Sequence, residues 1–213
     1  MENFKEYIQE KKIISVFDVD DCLIHSSAKI RYKDPLSEEW HEATTREWAE
    51  IRQTLSEDAE VDYDDFQGFD NVYKTIANGK VNKNIFAELD NAVNRGDKIG
   101  ILTARGDQRG VLFGLKSILE YKDPHGVLKP IPRTQLRKKY TFAVRDEATI
   151  NSLNELTDLD LRILRNEYLK AFVLQEIFAN RMGFEHIKFY DDDEVNIKVV
   201  QELEDPRIEA ILI

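Results

Sequence analysis

The sequence predicts an α/β fold: a three-layer sandwich with one central parallel sheet and helices on both faces, at a length that suits one domain carrying an insertion or at most two small ones. Three observations carry this. Short, largely apolar runs at 13–17 and 98–102 read as buried strands, and 186–190 and 208–213 read as further strands. Amphipathic helical periodicity fills the intervals, as crossovers between parallel strands require. Three strand ends also carry polar side chains, Asp18/Asp20, Thr103/Arg105 and Asp191/Asp192. Ligands of such sheets bind outside the carboxyl ends of the strands.

Residues 1–12 read as a polar lead, followed by the strand Ile13 to Phe17 and the acidic turn Asp18-Val19-Asp20-Asp21. Ser37 ahead of Glu38 and Glu39 resembles a helix start. Trp40, Thr44, Trp48, Ile51 and Leu55 then follow helical spacing, so a helix is expected over 38–55. Between Gln53 and Tyr73 lie seven acids and no Lys or Arg, which reads as a solvated face rather than a metal site. A helix over 82–95 presents Ile85, Phe86, Leu89 and Val93 and stops at Gly96. The strand 98–102 runs into Thr103-Ala104-Arg105-Gly106, and a helix over 107–121 follows with Val111, Leu115, Ile118 and Leu119. Residues 122–152 hold three of the five prolines and a basic knot from Arg133 to Lys139, with a short strand at Tyr140 to Val144. A long helix is expected over 158–182, closed by Gly183. The strand His186 to Tyr190, a helix near 194–204 and a strand from Ile208 to Ile213 complete the pattern.

Composition bounds the function. The 213 residues include 41 acidic and 30 basic side chains, a formal charge of -11, which argues against coating nucleic acid by charge alone. Nowhere do about 18 apolar residues run together, so no membrane partner is expected. The charged first residues lack a secretory pattern, and the single cysteine, Cys22, allows no internal disulfide; a cytoplasmic location is expected.

Asp18 and Asp20 are two apart just past a strand, so in an extended chain they point the same way. Carboxylates held together invite a cation or a shared proton. With Asp191 and Asp192 on the same rim, the oxygen-only donor set suits Mg²⁺. One carboxylate can then serve as nucleophile and another as acid/base. Thr103 can hold an anion or cap a helix, and Arg105 offers a phosphate fork. Lys170 shares the stripe of Ile163, Val173 and Ile177, which suits a snorkelling lysine or one paired with the acids.

Together these residues resemble the haloacid dehalogenase superfamily of Mg²⁺-dependent phosphohydrolases. Phe17-Asp18-Val19-Asp20-Asp21-Cys22-Leu23 is similar to its first motif, and Ile101-Leu102-Thr103 to its second. Ala104-Arg105-Gly106 resembles the form in nucleotide and nucleic-acid end phosphatases. Lys170 in Tyr168-Leu169-Lys170-Ala171-Phe172 stands for the third motif, with Lys188 and Lys129 as alternatives. Phe189-Tyr190-Asp191-Asp192, with Asn196 spaced behind, is similar to the fourth. The four parts frame about 180 residues in the expected order. The chain departs from the family where Asp21-Cys22 replaces glycine-threonine. A looser likeness is to phosphatases of tailed phages.

The resemblance implies a Rossmann-like core from 1–25 and 80–213, a mainly helical cap at 26–79, and an added flap within 122–152. It implies that Asp18 attacks phosphorus and Asp20 serves as acid and then base. Mg²⁺ would be held by the Asp18 carboxylate, the Asp20 main-chain carbonyl and Asp192, with Asp191 as a neighbour or a water-mediated ligand. Thr103, Ala104, Arg105 and Lys170 would grip the phosphoryl group. The substrate expected is a small phosphorylated molecule such as a nucleotide, or a nucleic-acid end; a sugar phosphate and a catalytically silent binding protein are the alternatives. A signalling receiver domain uses similar groups, but the order Asp–Thr–Lys–Asp and a helical lysine favour the hydrolase. The sequence leaves the oligomeric state open.

Overall fold

A computed structural model describes residues 12–35, 39–56, 58–122, 128–130 and 136–213, with the backbone alone for 120–122 and 128–130. In chain order the elements are β1 (Ile13–Phe17), β2 (Ile24–His25), β3 (Ile30–Lys33), β4 (His41–Ala43), α1 (Thr45–Ile51), β5 (Glu60–Asp62), α2 (Phe69–Ala77), β6 (Lys80–Val81) and α3 (Lys83–Arg95). Then come β7 (Lys98–Thr103), α4 (Gln108–Ile118), β8 (Glu120–Lys122), β9 (Leu128–Pro130), β10 (Thr141–Ala143), α5 (Glu147–Asn154), α6 (Asn166–Phe172), β11 (His186–Asp191), α7 (Glu194–Gln201) and β12 (Ile208–Leu212).

The central sheet has the order β10-β7-β1-β11-β12, and every pairing is parallel. The topology is compatible with a Rossmann-like fold. Strand β1 sits in the middle because both its faces are buried and largely apolar, with Ser15 satisfied by donating to Asp97 Oδ2 at 3.0 Å. Ile14 and Val16 enter the core under α5, α6 and α7, whereas Phe17 enters the core under α2, α3 and α4. Each fully buried side chain of this size contributes about 1.5–3 kcal/mol. The chain order reverses at β1, which opens a crevice at the carboxyl ends of β1 and β11. No helix among the described residues is long and apolar enough to cross a membrane.

The strand expectations agree with β1, β7, β10, β11 and β12. Helix α3 starts on an Asn82 cap and stops at Gly96, whose φ of 83° is left-handed.

The helix expected over 38–55 is corrected. His41–Ala43 is a strand paired with β3, and only Thr45–Ile51 is helical, started by a capping box between Thr44 and Glu47. Ser37 lies outside the described residues. The spacing of Trp40 and Thr44 imitated a helix, but the hairpin of β3 with β4 takes up that backbone. The described part of the 26–79 segment therefore mixes helix with sheet. It carries the antiparallel sheet β4-β3-β5, whose own small core holds Ile30, Ala43 and Trp48. Its last element, α2, packs instead into the main core through Val72 and Ile76. That seat depends on close approach: a Cβ at Gly110 would stand 2.9 Å from Val72 Cβ, and one at Gly114 2.8 Å from Ile76 Cβ.

The helix expected over 158–182 starts later, at Asn166, and continues as a π-helix over Val173–Arg181. Ile163 lies in a preceding 3₁₀ turn and is 80% exposed, so it does not share the Lys170 stripe. Within 122–152 the structure describes an antiparallel pairing of β8 with β9 and the core elements β10 and the start of α5. Arg133 and the side chain of Lys129 lie outside the described residues.

Candidate functional site

The backbone brings the acids together first. The Asp18 N–H donates to the Tyr190 carbonyl at 3.0 Å, which carries the β1–β11 ladder one step past β1 and sets Asp18 beside Asp191. Helix α6 then delivers Lys170. Its start is fixed by Arg145, which donates to Asn166 Oδ1 at 2.6 Å and to the Leu164 carbonyl at 2.7 Å. Lys170 Nζ donates to Asp18 Oδ1 at 2.8 Å and to Asp191 Oδ2 at 2.7 Å. The ammonium is buried, as are both carboxylates. Lys188, the alternative, lies in β11 opposite Ser15 and Glu209 and is no part of this cluster.

Asp191 is further tied down by Asn196 Nδ2, 3.0 Å from each of its oxygens, and by the Asp193 N–H at 2.9 Å. Asn196 stands there because α7 is capped by Asp193, whose side chain accepts from the Val195 N–H. Ligand oxygens of Asp18, Asp191 and Asp192 lie within 4.8 Å of one another. Asp191's oxygens are occupied by Lys170, Asn196 and Asp193, which leaves Asp18 and the exposed Asp192 better placed to take a cation.

The electrostatics follow from crowding. Burial pushes the Asp18 carboxyl well up; Lys170 opposes this, and Asp191, Asp192 and Asp20 add to it. Burial works against the Lys170 ammonium, but Asp18 and Asp191 outweigh it and hold the lysine charged. Asp192 is exposed as a residue, yet desolvation of its carboxyl and the charge of Asp191 push it up to about 7. A site that raises its carboxyls while holding one cation favours a second cation.

Thr103 ends β7 and is buried; its Oγ1 accepts weakly from the Arg105 N–H at 3.5 Å. Its own proton is left for an acceptor. Ala104 is half-buried in the bend that follows. Arg105 differs from the expected phosphate fork. Its Nε donates to Asp20 Oδ2 at 2.9 Å and its Nη2 to Asp20 Oδ1 at 2.7 Å. Nη1 donates to Thr75 Oγ1 at 2.9 Å, and the guanidinium lies 5.0 Å from the centre of the Phe66 ring. The side chain is wholly buried. The fork is committed to Asp20.

Asp21 also has a place. At a φ of 54° it turns its carboxylate to His25 Nδ1, 3.0 Å away, and to the Thr45 hydroxyl of α1. Cys22 is buried with Sγ 3.5 Å from the Tyr190 carbonyl, and burial pushes its thiol up, which suits a packed side chain rather than a nucleophile. Trp48 is buried in the small core beside the β4-β3-β5 sheet; Trp40 and His41 are exposed, with Trp40 under Arg31 and His41 against Tyr32. The sequence reading missed Thr75, Phe66 and the Arg52–Asp193 pair at 3.0 Å. Each acts across a long sequence distance with no local motif to mark it.

No protein-family model matches the chain, no curated protein matches its sequence, and no solved structure matches its fold.

Proposed function

We propose that the chain is a Mg²⁺-dependent phosphomonoester hydrolase of the haloacid dehalogenase type, acting through an aspartyl-phosphate on Asp18. The observation that carries this reading is the Lys170 ammonium shared between Asp18 and Asp191, at the ends of adjacent parallel strands, with Asp192 beside them. The donor set is all oxygen and crowded with negative charge, which fits Mg²⁺. Asp18 and Asp192 would hold it with the Asp20 main-chain carbonyl, and Asp191 would orient its neighbours. The ion supplies charge neutralisation for the phosphoryl oxygens.

Lys170 holds Asp18 Oδ1, so Oδ2 is the oxygen that attacks phosphorus. As that bond forms, the ester P–O bond breaks and its electron pair stays on the leaving oxygen, which takes a proton from Asp20. Asp20 then takes a proton from water as the water oxygen attacks phosphorus, and the Asp18 carboxylate is released. Thr103 donates its hydroxyl proton to a phosphoryl oxygen, and the Ala104 main chain lines the same bend. Phosphoryl transfer needs mainly positioning and charge stabilisation, which these groups offer. The substrate class we favour is a nucleotide or a nucleic-acid terminal phosphate, following the Thr103-Ala104-Arg105 resemblance.

The test is phosphate release from p-nitrophenyl phosphate with and without Mg²⁺, for wild type and Asp18→Asn. Mg²⁺-dependent turnover that falls at least about 10³-fold in Asp18→Asn is expected for loss of a nucleophile. Turnover that survives the substitution removes Asp18 from the mechanism. Nucleotides, 3′- and 5′-phosphorylated oligomers and sugar phosphates then sort the substrate.

A further inference from the structure

We infer that Arg105 is a positioning residue that acts through Asp20 and makes the aim of that carboxyl depend on how the inserted layer is seated. The inference rests on the phosphatase reading above and concerns its leaving-group side.

Arg105 follows β7, and Asp20 lies in the turn after β1. The two-point bond from Nε and Nη2 fixes the plane of the Asp20 carboxyl, as a single-point ammonium could not. One lone pair of each carboxyl oxygen is used, and the others stay available for a proton. Asp20 keeps 15% of its side chain exposed, whereas Arg105 has none. The carboxyl therefore reaches solvent and the guanidinium behind it does not. A substrate phosphate would meet Asp20, not Arg105.

The rest of the guanidinium belongs to the inserted segment. Thr75 of α2 accepts from Nη1, and Phe66 covers one face. The neighbouring Gly106 N–H donates to the Phe66 carbonyl at 2.8 Å. Thr75 Oγ1 also donates to the Asn71 carbonyl at 2.7 Å, so its acceptor lone pair is held toward the arginine. The aim of Asp20 thus passes through Arg105 to two residues that are more than 40 positions away in sequence and touch no reacting atom.

A group that aims a general acid has a distinctive kinetic effect. The Asp20 proton is needed as the ester P–O bond breaks toward a basic alkoxide. It matters little when the leaving group is a stabilised phenolate. Losing the aim should slow alkyl phosphates far more than p-nitrophenyl phosphate and leave KM unchanged.

The experiment compares kcat and KM for p-nitrophenyl phosphate and for a simple alkyl phosphate, with saturating Mg²⁺, in wild type, Arg105→Ala, Arg105→Lys and Thr75→Val. We expect Arg105→Ala to lower kcat at least about 10²-fold on the alkyl ester and under about 5-fold on the aryl ester, within the range of general acid catalysis. Arg105→Lys keeps the charge but loses the fork, so it should show most of the same split. Thr75→Val leaves the Arg105–Asp20 pair intact and should show the split in the same direction, about 3–10-fold; it serves if Arg105→Ala does not fold. Added guanidinium should restore the alkyl-ester rate of Arg105→Ala. Raised KM on both esters with kcat unchanged would make Arg105 a phosphate ligand and overturn the inference. An equal loss of kcat on both esters would also overturn it, by showing a merely structural role. A wild type with no Mg²⁺-dependent release from either ester ends the phosphatase reading, and this inference with it.

Discussion

Lys170 and Arg105 serve the two flanks of β1, and the difference between them shows how the site is divided. On the β11 flank a compact ammonium joins Asp18 to Asp191, and its partners all come from the core sheet. On the β7 flank a planar guanidinium clamps Asp20, and its remaining contacts reach Thr75 of α2 and Phe66. The contacts of Lys170 itself are complete within the core, and the 26–79 segment reaches that flank at one remove, where Arg52 pairs with Asp193. The arginine flank is complete only when α2 and Phe66 are seated. The residue types suit these tasks: an ammonium can point its donors at separate acceptors, whereas a guanidinium reads one carboxylate in two places and stacks on a ring.

The sharpest way to break this comparison is Lys170→Met. It leaves two buried carboxylates facing each other without their cation, at an expected cost of about 3–5 kcal/mol. Urea unfolding at pH 8 measures it, and a loss below about 1 kcal/mol would mean that the β11 flank is not held by the lysine. Next in size is Gly114→Ala, whose new Cβ would stand 2.8 Å from Ile76 and push on the helix that carries Thr75. Overpacking of this kind costs about 1–3 kcal/mol. Stabilisation by Mg²⁺ should survive it, because the acidic cluster takes nothing from α2. Loss of the Mg²⁺ effect in Gly114→Ala would show that the flanks are not separate.

The smallest effect is a pH dependence. A carboxyl whose folded pKa is raised keeps an extra proton in the folded state, so its contribution to stability falls as pH rises. For Asp192 that window runs from the unfolded value of about 4 up to about 7. A bound cation competes with the proton, so Mg²⁺ should stabilise more at pH 8 than at pH 5. At ten times its dissociation constant the gain at pH 8 is about 1.4 kcal/mol. Thermal melts with and without Mg²⁺ at the two pH values check this, and equal gains would remove the raised carboxyls from the cation site.

The lysine flank was largely legible in the sequence, and the arginine flank was not. Ile13 to Phe17 and Lys98 to Leu102 are short, largely apolar runs, so their strands and the polar residues after them could be placed from local pattern. Lys170 stood out as a cation among apolar neighbours on a helix. The partners of Arg105 left no such mark. Thr75 falls where the sequence pattern marks no element and Phe66 is one aromatic in an acidic stretch, and only tertiary contact gives them a role. The strands β3 and β4 were hidden for a related reason. Tyr32 and His41 pair across a hairpin, and neither IRYK nor HEA is apolar enough to announce a strand.

The position of β1 has a consequence for how the chain acquires its site. Asp18, Asp20 and Asp21 are synthesised before their partners, and the lysine that steadies Asp18 comes 152 residues later. The strand that puts Asp191 beside Asp18 comes later still. Until then the central strand has no neighbour on that side, and its carboxylates have no countercharge from Lys170. Loop closure over such distances is paid before any contact repays it, so assembly of this half of the sheet is expected to be the slow event in refolding. Aspartate and lysine then meet in the closing step, and the chemistry of the site becomes a reporter of the last stage of folding.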